Sequence, residues 1–121
     1  MAFSFRIRAP ERDRAADEIR FEQVIDIINK ARVDIARESA GLRERCEKAR
    51  CSASFALEAI EGDERDAALE RRIRELSNTI LACEARLATL DRQAQFFTQQ
   101  EETILNFAVD QLADISQPSA T

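Results

Sequence analysis

The sequence has very few of the residues that end helices or build turns. Its 121 residues include two glycines and two prolines, and it contains no tryptophan and no tyrosine. Because turns and strand connections depend on glycine and proline, this scarcity disfavours folds with many short elements. A composition with 34% charged and 45% hydrophobic residues favours long helices or a coiled coil instead.

The residues that most often carry out catalysis are also scarce. Histidine, the commonest general base and metal ligand, is absent. The sequence contains no glycine-rich phosphate loop and no G-x-S-x-G elbow. Carboxylates in "EGDERD" and "QQEE" could in principle act as acids or bind cations, but on a helix surface without a pocket they are solvated. We therefore predict a protein that is not an enzyme and has no cofactor, metal or small-molecule substrate.

Charge and cysteine content constrain the partners and the compartment. The net charge of -5 makes nucleic acid an unlikely partner, because phosphate binding needs a basic face. No run approaches the roughly 20 apolar residues that span a bilayer, so no membrane association is expected. An odd count of three cysteines suits a reducing compartment, and we predict a cytoplasmic protein. Cys46 and Cys83 are predicted to be core residues, whereas the reactivity of Cys51 stays open.

The first half of the chain predicts one long helix with an apolar stripe. Pro10 followed by Glu11 and Asp13 is typical of a helix start. Apolar or small residues then recur every three or four positions, at Phe21, Val24, Ile28, Ala31, Ile35, Ser39, Leu42, Cys46, Ala49, Ala53, Ala56 and Ile60. The eleven-residue step from Ile28 to Ser39 predicts a local unwinding of the supercoil.

The second half carries a regular stripe that predicts a coiled-coil helix. Its members are Leu69, Ile73, Leu76, Ile80, Cys83, Leu87, Leu90, Ala94, Phe97, Glu101, Ile104, Ala108, Gln111 and Ile115. Glu101 stands out as a charge within an apolar stripe. It is interpreted either as a device that selects a register or partner, or as a side chain that reaches out to solvent.

The stretch between the two stripes predicts a turn. Gly62 is placed just after the first helix in a left-handed conformation, and Asp63 is placed as the N-cap of the second helix with Asp66 at its third position. The fold class is therefore all-α, an antiparallel two-helix coiled-coil hairpin, possibly dimerising into a four-helix bundle. The expected boundaries are an arm at 1–9, helix one at about 10–61, a turn at about 62–63, helix two at about 64–115 and a tail at 116–121. One continuous helix in an extended dimer is the alternative.

The end of the hairpin that carries both termini has more apolar residues than the stripes need. The additional ones are Ile19, Ile25, Ile27, Phe96, Leu105, Phe107, Val109 and Leu112. An apolar arc this wide must be covered. The cover could be the N-terminal "FSFRIR", a second copy of the chain, or a different protein. The residues predicted to bind the partner are Phe21, Ile25, Phe96, Phe107 and Leu112.

The function expected from these features is that of a non-enzymatic coiled-coil interaction protein: an adaptor, an assembly factor or a chaperone-like protein. Its partner is another protein or, as a homodimer, a second copy. The two-helix hairpin resembles the coiled-coil stalk proteins of flagellar and type III export machines, a likeness of architecture that no motif extends to a family. A stalk-like structural component, or a structural protein of a phage or plasmid, is therefore the alternative. A helical scaffold on nucleic acid is the weakest of the three.

Overall fold

A computed structural model describes residues 10–62 and 66–116, with side chains described for 10–61 and 66–113. Helix α1 runs over Pro10–Gly62 and helix α2 over Ala67–Ser116, and the described residues contain no strand. The described chain divides into two compact units: unit one comprises residues 10–32 and 96–116, and unit two comprises 33–62 and 66–95. The predicted all-α helical hairpin is confirmed.

Contacts between the helices show that they run in opposite directions within each unit. In unit one, Phe21 packs against Phe107, and further along α1 Arg32 bonds to Glu101. In unit two, the carboxylate of Glu38 accepts from Arg86, and Arg50 donates to Glu84. In both units the residue number rises along α1 as it falls along α2, which is the pairing of an antiparallel hairpin.

The two stripes form a seam, meaning the line of side chains by which one helix packs on the other. Its most deeply buried members are Ile28, Ile35, Ser39, Leu42, Cys46, Ala49 and Ala56 on α1, and Leu76, Cys83, Leu90 and Ala108 on α2. Every one of them belongs to the predicted stripes. Cys46 and Leu90 are 1% exposed, so the seam excludes water at these positions. Cys46 and Cys83 are core residues as predicted, and Cys51 is exposed.

The seam takes a different path in the first half of α1 from the predicted one. Ile25 is half-buried, whereas Val24 is 44% exposed. Arg32 is also half-buried and reaches Glu101, itself a seam residue. With Ile25 and Arg32 counted as members, the spacing alternates between four and three residues, and Ala31, the predicted member at this turn, is half-buried beside Arg32.

The helix ends at the turn also differ from the prediction. Gly62 is the last residue of α1, and no described glycine has a positive φ. Helix α2 begins at Ala67, and Asp66 is its N-cap, because Asp66 Oδ1 accepts a bond from Ala68 N at 2.9 Å. The first helical bond runs from Glu70 N to the Asp66 carbonyl at 3.0 Å. The placement of Asp66 at the third helical position was therefore wrong.

Some predictions lie outside the described residues. These are the role of the arm at 1–9, the tail after Ser116 and the capping by Asp63.

Ion pairs flank the seam in unit two. Arg86 donates from Nε to Glu38 Oε2 at 2.7 Å and from its terminal nitrogen to Glu38 Oε1 at 3.1 Å, a two-point contact between the helices. These hydrogen bonds lower the pKa of the Glu38 carboxyl, and the same contact raises the pKa of Arg86. On the other side of the seam, Arg50 bonds to Glu84 at 2.7 Å. The hairpin is thus held by an apolar line with charged contacts along both edges.

Candidate functional site: an exposed aromatic face

In unit one, several large apolar side chains lie outside the seam and are exposed to solvent. The exposed ones are Ile19, Val24, Ile27, Phe96, Leu105, Phe107 and Val109. In unit two the exposed large apolar residues are Val33, Phe55, Leu57 and Leu81. The candidate site therefore lies in unit one, where segments of the two helices carry seven such side chains, three on α1 and four on α2.

The five residues predicted to bind a partner do not form one surface. Phe21 and Ile25 are half-buried members of the seam. Phe96 and Phe107 are 53% and 59% exposed. Leu112 is half-buried and lies five residues after Phe107, about 140° further around α2, so it belongs to the other side of that helix.

Phe96 and Phe107 lie on the same side of α2. They are separated by eleven residues, which is close to three full helical turns. The contact between Phe21 and Phe107 shows which side of the hairpin this is. On α1, Val24 lies on that same side, because it immediately precedes a seam residue, as Phe96 and Phe107 do on α2. In an antiparallel pair such positions share one edge of the seam, as the bond between Glu38 and Arg86 shows in unit two.

Val24 and Ile27 complete a surface that we call the Phe96/Phe107 face. It consists of Val24, Ile27, Phe96 and Phe107. Val24 and Ile27 are 44% and 66% exposed, so each residue of the face leaves a large part of its side chain in solvent. Ile27 stood among the apolar residues noted from the sequence, but Val24 was missed because it had been assigned to the seam. No local signal in the sequence identifies it, because the spacing of the apolar residues allows either Val24 or Ile25 in the seam.

Each exposed phenylalanine is supported by a half-buried one. The ring centroids of Phe107 and Phe21 are 6.0 Å apart with the planes tilted by 60°. Those of Phe96 and Phe97 are 5.6 Å apart in an edge-to-face arrangement. Both separations lie within the range in which aromatic rings attract each other. The exposed rings therefore have neighbours that limit their rotation, which reduces the entropy lost when a partner binds.

Polar and charged side chains border and interrupt the face. Arg20 lies seven residues before Ile27 and is 72% exposed, with a bond of 3.0 Å to Asp17. Asp110 lies three residues after Phe107 and is exposed. Gln100 and Thr103 separate the two phenylalanines along α2. An apolar centre with a polar border is the arrangement of protein-binding surfaces.

The opposite side of unit one is more acidic. Ile19, Leu105 and Val109 are exposed there, but Glu22, Asp26 and Glu102 lie among them. These carboxylates divide the apolar residues into smaller areas, so this side is the weaker candidate.

The described residues contain no group of three or more histidine, cysteine or acidic side chains that could hold a metal ion. What the site offers is exposed apolar side chains with a charged edge.

Comparison with protein-family models, with curated proteins and with solved structures finds no match to this chain. In the described part of the chain, neither helix has an apolar stretch of the length needed to cross a membrane.

Proposed function

We propose that this protein is a non-enzymatic coiled-coil interaction protein, an adaptor, assembly factor or chaperone-like protein, that binds another polypeptide chain through the Phe96/Phe107 face. The observation that carries the proposal is the pair of phenylalanines that stay more than half exposed although each packs on a second ring. Large apolar side chains clustered on one exposed side, with polar residues around them, favour an interaction site.

The composition of the face supports a protein partner. Phenylalanine is among the residue types that are enriched in the core of protein interfaces relative to the rest of the surface. The face runs along two parallel lines of helical residues, and such a surface suits the apolar side of another helix. The three cysteines are free, which fits action in the reducing cytoplasm.

Site-specific photo-crosslinking tests this proposal. A benzophenone amino acid is placed at Phe107, and in a matched variant at Leu81, which is similarly exposed at 63% but lies in unit two. After irradiation in cells, adducts are separated and identified by mass spectrometry. We expect a defined protein adduct at position 107 that is absent at position 81, because only the first probe lies on the binding face.

Competition distinguishes specific binding from chance contact. An excess of unlabelled wild-type protein should remove the adduct, and an excess of the Phe96→Glu variant should not, since a buried carboxylate without a partner opposes binding. The proposal fails if position 107 gives no more adduct than position 81, or if both competitors act alike.

A further inference from the structure

We propose that the partner bound by the Phe96/Phe107 face is a second copy of this chain, related by a twofold axis that runs along the helices. In this arrangement α1 of each copy lies against α2 of the other, and unit one meets unit one. This inference rests on the proposed function, because it uses the same face and adds the identity and orientation of the partner.

The sizes of the side chains on the face favour the orientation in which α1 packs on α2 of the partner subunit. On this face α1 carries the aliphatic residues Val24 and Ile27, and α2 carries the two phenylalanines with Gln100 and Thr103 between them. Phe21 and Phe107 are in contact and mark one level of the hairpin. Ile27 lies further along α1, at a level between the two phenylalanines. In the proposed dimer it therefore lies between Phe107 and Phe96 of the partner subunit, over the partner's Gln100 and Thr103, so that an aliphatic side chain is flanked by two rings instead of opposing one.

The reversed orientation lacks this fit. A twofold axis perpendicular to the helices would place α1 on α1 and α2 on α2. Phe96 would then meet Phe107 of the partner subunit, and Ile27 would meet its own copy. Large side chains would oppose large ones at both places, while Gln100 and Thr103 would face each other.

Charge complementarity supports the same orientation independently. Arg20 precedes Phe21 by one residue, about 1.5 Å along α1, and Asp110 follows Phe107 by three, about 4.5 Å along α2, so both lie beyond the contact that joins the helices and within one turn of it. Within one copy they stand at the two outer edges of the face, where Arg20 bonds to Asp17 instead. When α1 packs on the partner's α2, Arg20 is brought opposite the partner's Asp110. The twofold axis makes this contact twice.

The arrangement also suits the charge of the second helix. Helix α2 carries no lysine or arginine after Arg92, so its end in unit one is acidic. A cation on that edge has to come from another helix, and Arg20 of the partner subunit is placed to supply it.

Charge reversal in the full-length protein tests both the partner and the orientation. Light scattering after size exclusion gives the mass of the wild type, of Arg20→Glu and of Asp110→Lys over a range of concentrations at low salt. We expect a wild-type dimer and a dissociation constant raised about tenfold in each variant, because two attractive contacts become repulsive. An equimolar mixture of the two variants should dimerise like the wild type, since each mixed contact again pairs opposite charges.

Further variants keep a negative result interpretable. Phe107→Glu is expected to give a folded monomer, and Leu81→Glu, on unit two, is expected to leave the dimer intact. Circular dichroism confirms that each variant is helical. The two charge variants replace exposed side chains and should fold normally.

The possible outcomes separate this inference from the proposed function. A wild type that stays monomeric at every concentration overturns the second copy as partner, while a crosslink to another protein at position 107 would still support the proposed function. A dimer that survives Phe107→Glu shows that copies associate elsewhere, which also overturns the inference. If Phe107→Glu abolishes the dimer but the mixture of Arg20→Glu and Asp110→Lys does not dimerise like the wild type, the two results together support the face and overturn the orientation.

Discussion

Among single residues, Arg32 and Glu101 stand out because they are charged members of the seam, in which most other residues are apolar or small. They bond to each other, and they are 39% and 20% exposed, so part of each remains in water. A partly buried charge is costly when its partner is removed, whereas replacing both partners together can be neutral or stabilising. The pair therefore contributes more to the choice of pairing than to the total free energy of unfolding.

A double-mutant cycle tests this role. Arg32→Met and Glu101→Met should each lower the free energy of unfolding by about 1 kcal/mol, because each leaves a charge without its partner. The double variant should be at least as stable as the wild type. Urea denaturation measures all four proteins, and the exposed pair Glu44 and Lys48, four residues apart on α1, serves as control with a coupling below about 0.5 kcal/mol. Additive losses at 32 and 101 would show that the pair is not coupled.

Glu38 provides a residue-scale prediction about pH. Arg86 donates two hydrogen bonds to this carboxylate, and its pKa lies below the usual value in the folded protein. A carboxyl with a lowered folded pKa adds stability at pH values above its unfolded pKa of about 4.3 and loses that contribution as the pH falls through the folded pKa. The contact should thus be fully effective at neutral pH and absent in strong acid.

Carbon-detected NMR titration of the glutamate carboxyls can measure this directly. Glu38 should titrate below the usual range of a glutamate carboxyl, and Arg86→Gln should return the pKa of Glu38 toward the usual value. The difference in unfolding free energy between wild type and Arg86→Gln should also shrink as the pH falls through the pKa of Glu38. If Arg86→Gln leaves the titration of Glu38 unchanged, the two-point contact does not persist in solution.

Among the elements, helix α1 contains a glycine that no contact requires. Gly41 lies inside the helix, its φ is not positive, and a Cβ built there would come no nearer than 3.9 Å to the Arg45 side chain. Gly41→Ala should therefore raise the free energy of unfolding by about 1 kcal/mol, since alanine loses less backbone entropy than glycine in a helix. Urea denaturation measures the gain, and Ala40→Gly at the exposed neighbouring position should show a loss of similar size. A destabilising Gly41→Ala would mean that this side of α1 is covered in solution.

The path of the seam shows how far sequence periodicity can define a helix pair. Val24 and Ile25 are both apolar and both fit a spacing of three or four from their neighbours, so periodicity alone allows either. The choice depended on the next turn, where an alanine was preferred to Arg32 as a seam residue. Arg32 can lie in the seam because it bonds to Glu101. That residue is distant in sequence and becomes the partner of Arg32 only in the folded hairpin. Local patterns do not contain that information.

Where the two helices end and begin differs in detail from the prediction, since Gly62 is the last residue of α1 and Asp66 caps α2. The segment from Gly62 to Asp66 offers several acidic residues before a run of helix formers, and each could accept bonds from the first free amides. Asp66 immediately precedes two alanines, which have the highest helix propensity, and the second helix begins there. Caps compete within fractions of a kcal/mol, so sequence identifies such a turn more reliably than its end residues.

For the molecule as a whole, the sequence predicted the hairpin and an excess of apolar residues near its termini. It could not divide that excess between seam and surface, because a shift of one residue moves a side chain about 100° around a helix. Phe21 and Ile25 were therefore grouped with Phe96 and Phe107, although the first two are half-buried in the seam. The Phe96/Phe107 face emerges only when the contact between Phe21 and Phe107 fixes which side each helix presents.

A self-associating face should make the stability of the whole molecule depend on its concentration. When two folded chains dissociate as they unfold, a tenfold rise in concentration stabilises the dimer by about 1.4 kcal/mol, which corresponds to a melting temperature raised by about 4 °C. Thermal unfolding followed by circular dichroism across two decades of concentration measures this shift. Phe107→Glu should melt at one temperature throughout, and Leu81→Glu should follow the wild type. A wild-type melting temperature that does not change with concentration would show that folding does not depend on a second copy, and the Phe96/Phe107 face would then have to be matched to a different protein.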